Sequence, residues 1–124
     1  MKYIKTFENL NGEPKIGDYV ICKEDFSIFV DVDDDDVDFL YFLNNNIGQC
    51  VNIIKTQLNY NNFIIKYDNI PPKLKKYFTF DDKTGKKTIY KMTNCRRMSE
   101  NEIFVFSPDK EYLETIIATN KYNL

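Results

Sequence analysis

The run FTFDDKTGKKTIYKM, residues 78–92, constrains the fold more tightly than any other part of the chain. Two strand-like runs flank DDKTGKK, and Gly85 supplies the positive-φ position that a short hairpin loop requires. Short apolar runs bounded by turn residues recur along the chain. A Gly-Asp turn feeds YVIC (19–22). IGQCVNIIK (Ile47 to Lys55) and NNFIIKYD (Asn61 to Asp68) read as a second antiparallel hairpin, with Gly48 placed to supply a bend or bulge. A last short strand is predicted around Ile103 to Phe106. Composition agrees: ten Phe, nine Tyr and fourteen Ile stand against a single Ala. Aromatic and β-branched side chains suit a pleated, half-buried surface, and Ala-poor chains make poor helical bundles.

Helical patterns fill the spaces between these runs. VDFLYFLNN follows the aspartate run DVDDDDVD (31–38), with Asp35 or Asp36 as N-cap, and Asn44, Asn45 and Asn46 end it through the left-handed conformation that Asn tolerates. In IPPKLKKYF the Pro pair forces extended chain and then permits one helical turn starting near Pro72. The tail, SPDKEYLETIIATNKYNL, predicts a helix capped by Ser107 with Pro108 as its first residue, and Tyr112, Leu113, Ile116 and Ile117 on one face. The resulting order is strand, short helix, hairpin, helical turn, hairpin, strand, helix. It predicts a single domain over 1–124 of mainly β, α+β class. Residues 15–106 would form a small, partly open antiparallel barrel of about five strands, and 107–120 a C-terminal helix.

Charge is unevenly distributed. Residues 1–62 carry five Lys against eleven acids, a net −6, whereas residues 63–124 carry twelve basic residues against eight acids, a net +4. Two opposed candidate surfaces follow. Asp31, Asp33, Asp34, Asp35 and Asp36 would present acid to a basic partner protein. Lys73, Lys75, Lys76, Lys86, Lys87, Arg96 and Arg97 would contact phosphates, with Tyr77 and Tyr90 stacking on bases. Alternating Lys also merely solvates one face of a hairpin, and a whole-chain pI near 5.2 runs against a dedicated nucleic-acid binder.

Other chemistries fare worse. An EF-hand loop beginning at Asp31 would have Asp at its first, third and fifth positions. It would also have Asp36 where the turn needs Gly and Phe42 where calcium needs a bidentate Glu. The chain has no His, so the usual general base near neutrality is absent, and the spacing of Cys22, Cys50 and Cys95 matches no zinc pattern. KTGKKT lacks the first Gly of a phosphate loop. No enzyme activity, metal or cofactor is expected, and the three thiols are expected to be small buried groups in a reducing compartment. No run of eighteen apolar residues or signal-peptide core occurs, so no membrane span is expected.

Two resemblances add to this. IGDYVIC, and IGQCVNIIK paired with FIIKYD, resemble an SH3-like barrel of the KOW or Tudor kind over about residues 15–70. MKYIKTFE, GDYV (17–20), NNNIG (44–48), YDNIP (67–71) and EIFVFSPDKEYLETIIATNKYNL (102–124) resemble small proteins of tailed phages over most of the chain. That likeness implies a phage-encoded product of the host bacterial cytoplasm and carries no catalytic residues across. The KTGKKTIYK hairpin lies outside it. The function expected is a non-enzymatic accessory module that binds a host or viral protein, with an anti-defence role as one form of it. Alternatives are nucleic-acid binding through 73–97, or sequestration of a small anionic nucleotide; self-association is a further partner expectation.

Overall fold

The computed structural model describes residues 12–24, 29, 31–58, 60–84 and 87–122, and the side chains of all of these except 81–84, 87–91 and 120–122. Strands β1 (Tyr19–Cys22), β2 (Gly48–Lys55), β3 (Asn61–Lys66), β6 (Cys95–Ser99) and β7 (Ile103–Ser107) form one antiparallel sheet in the order β6-β3-β2-β1-β7. Strands β4 (Thr79–Thr84) and β5 (Lys87–Thr93) pair only with each other. Helix α1 (Asp34–Asn45) lies between β1 and β2, a 3-10 helix (Pro72–Tyr77) between β3 and β4, a second 3-10 turn (Glu100–Glu102) between β6 and β7, and α2 (Lys110–Tyr122) ends the described chain. No helix among the described residues is long and apolar enough to cross a membrane.

The class is therefore α+β, with the expected five-strand antiparallel sheet. That sheet is open, because no pairing joins the edge strands β6 and β7. Strand β1 explains how both of its faces are used. Alternation sends Val20 and Cys22 to one side and Ile21 to the other, and all three are buried. The first side is the main core, where Phe39, Leu40, Phe42 and Leu43 of α1 meet Cys50, Phe63, Ile65 and Met98 of the sheet. The second is smaller: Ile21 and Val105 receive Leu113 of α2, with Tyr112, Ile116 and Ile117 beside it, the face expected from helical spacing.

Several local expectations are corrected. Asp33, not Asp35 or Asp36, caps α1: its Oδ1 accepts from the Asp36 N–H at 2.8 Å, while Asp36 Oδ2 accepts from the Asp33 N–H at 3.1 Å. This reciprocal capping box fits Asp at N3, because the shorter carboxylate still reaches back one turn. At the other end Asn46 is extended, with φ −131°, rather than left-handed. Asn45 Nδ2 and Asn46 Nδ2 instead donate to the Tyr41 and Phe42 carbonyls, both at 2.8 Å, and satisfy the helix end through their side chains. In α2, Asp109 rather than Ser107 is the cap: its Oδ1 accepts from the Glu111 and Tyr112 amides, and Ser107 lies two residues before it, its Oγ accepting from Asp109 N–H.

Gly48 also differs from expectation. The β2–β3 bulge falls between Cys50 and Asn52. What Gly48 provides is room: a Cβ there would stand 2.3 Å from Ile65 Cγ2 and 2.9 Å from Tyr67 Cζ, both of them fully buried side chains. The β4–β5 hairpin is present as expected, although Gly85 lies outside the described residues. Strand β6 was not expected; its sequence, CRRMS, shows no apolar alternation, and its pairing with β3 makes it a strand.

Candidate functional site

The acidic run and the basic segment, read separately in the sequence, meet each other in the fold. Buried packing brings them together first. The Phe39 and Tyr77 rings stack at 4.4 Å and 15°, and Phe78 packs against Phe39 at 5.5 Å and Phe42 at 5.6 Å. Leu74 and Phe78 are in the main core, so the 3-10 helix is held along the first turns of α1. Its polar residues then face carboxylates. Tyr77 Oη donates to Asp36 Oδ1 at 2.5 Å, Lys76 Nζ pairs with Asp35 at 2.9 Å, and Lys73 Nζ pairs with Asp38.

The electrostatics follow from those contacts. The Tyr77 hydroxyl, above all, holds the Asp36 carboxyl below its ordinary range. Burial, then the hydrogen bond to Asp36 and the charge of that carboxylate, push the Tyr77 phenol up. The hydrogen bonds to Asp38 and Asp35 raise Lys73 and Lys76. Both lysines remain more than half exposed, at 56% and 57%, so these two ion pairs orient the elements more than they stabilise them.

Of the five acids expected to face a partner, Asp33 and Asp36 form the capping box, Asp35 is paired, and Asp31 and Asp34 are exposed with no ion-pair partner among the described residues. Beside Asp34 the outer face of α1 carries Val37, 45% exposed, and Tyr41, 68% exposed, one turn apart. Asp38, a member of the clamp, did not figure among the expected site residues.

The basic set divides in the same way. Lys75 is exposed. Arg96 is drawn inward: Nη1 donates to the Tyr77 carbonyl at 3.1 Å, Nη2 lies 3.4 Å from the nearly buried Glu24 carboxylate, and the guanidinium sits 4.8 Å over the Phe39 ring. Burial lowers its proton affinity. Arg97, its neighbour, is exposed and lines a shallow cleft with Thr79 and Phe80 at the root of the hairpin. Lys87 and Tyr90 stand opposite Thr84 and Asp82 in the β4–β5 register, their side chains outside the described set, and Lys86 lies outside the described residues. Glu24 is a site residue that sequence reasoning missed. Only its solitary partnership with an Arg seventy-two positions away marks it, and no local pattern shows that.

Among the described residues no group of three or more His, Cys, Asp or Glu side chains converges to hold a metal ion. The three thiols are buried, and burial pushes Cys22 up to about 12 and Cys50 up to about 11, which keeps both protonated and unreactive. A cavity of about 610 Å³ lies away from the α1–3-10 contact, between the end of α1, the turn after β3, and α2. No protein-family model, curated protein or solved structure matches this chain.

Proposed function

We propose that this chain is a non-enzymatic, phage-type accessory module of SH3-like build, working in the host cytoplasm, that holds a protein partner on the outer face of α1. The architecture supports the build. Counted along the chain, the five strands of the main sheet lie in the order fourth, third, second, first, fifth, with a 3-10 turn ahead of the last, as in an SH3-like meander. The helix, the 3-10 segment and the hairpin are then insertions between its strands.

The observation that carries the binding reading is the α1 surface left over after the internal clamp is formed. Val37 and Tyr41 are large and outward, and Asp34, exposed and without an ion-pair partner among the described residues, lies one turn before Val37. A largely exposed Tyr two turns from an exposed carboxylate suits a partner with an apolar recess rimmed by basic side chains. The test is affinity capture from host bacterial lysate with three tagged forms. The unaltered chain and Lys87→Glu should retain the same stoichiometric protein, and Tyr41→Ala with Asp34→Lys should lose it. Equal capture by the Tyr41→Ala, Asp34→Lys form would overturn the assignment.

A second reading rests on the hairpin. β4 and β5 form a separate two-stranded ribbon, with Lys83, Lys87 and Lys91 along it and Arg97 at its root. A two-stranded ribbon is one of the shapes that enters a DNA major groove. Salt-sensitive retardation of DNA, abolished by Lys86→Glu with Lys87→Glu, is the outcome that would favour it over the α1 face.

A further inference from the structure

The cavity between the end of α1, the turn after β3 and α2 has a chemistry of its own, separate from the outer face of α1. At about 610 Å³ it is of the size that takes a small ligand or a long side chain. Its apolar wall is Ile47 and Ile117, both half-buried. Two carboxylates stand at the rim from unrelated elements, Asp68 from the turn after β3 and Glu114 from α2, and neither has an ion-pair partner among the described residues.

Helix α1 ends at the same place. It has no basic residue in its last turn, so no side-chain cation of the helix offsets the partial negative charge of its C-terminus beyond the two Asn hydrogen bonds. Asn45 and Asn46, which line the cavity, have each committed one amide N–H to a helix carbonyl and retain the second N–H as a donor and Oδ1 as an acceptor. In the same turn Asn44 Oδ1 is buried without a hydrogen-bond donor. Lys110 is the one cation of the lining among the described residues, and its Nζ is 5.9 Å from the Tyr19 ring, at the end where a smaller cleft adjoins. Among the described residues of the lining two carboxylates stand against one ammonium, above an aliphatic wall, with Lys66 in the adjoining cleft.

We propose that this cavity binds an alkylammonium group, with the ammonium between Asp68, Glu114 and the end of α1 and its methylene chain along Ile47 and Ile117. A lysine side chain of another protein and a free aliphatic diamine share that chemistry. A charged hydrogen bond to either carboxylate accounts for at least about a tenfold change in affinity.

The experiment titrates the full chain with 1,4-diaminobutane and, in a second arm, with a short lysine-bearing peptide, following backbone amide shifts and heat. Saturable shifts at Asn46, Asp68 and Glu114 are expected with at least one probe, and the tighter probe identifies the source. Affinity should fall at least about tenfold in both Asp68→Asn and Glu114→Gln and stay unchanged in Asp34→Asn, which belongs to the other surface. Three results would overturn the proposal: no saturation by either probe, affinity unchanged from the parent in either carboxamide variant, or preferential binding of butyrate, which would make Lys110 the dominant charge.

Discussion

Arg96 and Arg97 are adjacent in sequence and opposite in role. Strand alternation places them on different sides of β6, so one guanidinium is built into the interior and the other is left in solvent. Arg96→Ala would leave the Glu24 carboxylate, whose side chain is 2% exposed, without its ion pair. The expected loss is about 3 kcal/mol, the low end for breaking a buried pair, because a quarter of the Arg96 side chain still reaches water. Arg97→Ala should stay within about 0.5 kcal/mol of the parent. Urea unfolding of the two variants measures both, and equal effects would refute the assignment. Arg96→Lys should recover little of the loss, since an ammonium lacks the fork that serves Glu24 and the Tyr77 carbonyl together.

At the scale of elements, α1 and the 3-10 helix behave as one unit whose polar seam responds to acid. Asp36 is held below its ordinary range in the folded protein, chiefly by Tyr77. Its contribution is therefore complete above the unfolded aspartate value, near pH 4, and is lost as pH falls through the folded value. Tyr77→Phe should lower the thermal midpoint at pH 7, and the gap between variant and parent should narrow below about pH 4 as Asp36 takes up its proton in both. A gap that stays constant from pH 7 to pH 3 would mean that the hydroxyl acts independently of Asp36. Strands β1, β2, β3 and β7, the hairpin and both helices were legible because alternation, turn residues and helical spacing are local properties. Strand β6 was not, since CRRMS becomes a strand only through its ladder with β3. The clamp was hidden for a related reason. Asp35, Asp36 and Asp38 lie thirty-five to forty-one residues from their partners, and net charge reveals two opposed blocks without showing that they touch.

For the whole molecule, the three thiols report on cooperative opening. Cys22, Cys50 and Cys95 belong to three different strands of one sheet and are at most 2% exposed. Burial holds the Cys22 thiol near 12 and the Cys50 thiol near 11, so the native protein at pH 8 should resist iodoacetamide at all three positions. In denaturant, three alkylations per chain should appear by mass spectrometry. Fast native labelling of Cys95 alone would locate an early opening at the edge strand β6. The same edge bears on how such a sheet can change over time. Thr79 and Thr93 face each other in register, and the chain returns to the main ladder directly afterwards, with Cys95 N–H bonded to the Phe78 carbonyl. Everything from 80 to 92 is thus a graft on a closed stem. Changes of length beyond that stem are expected to leave the register of the five-strand ladder unchanged, and new specificities could arise there without disturbing the body that carries them.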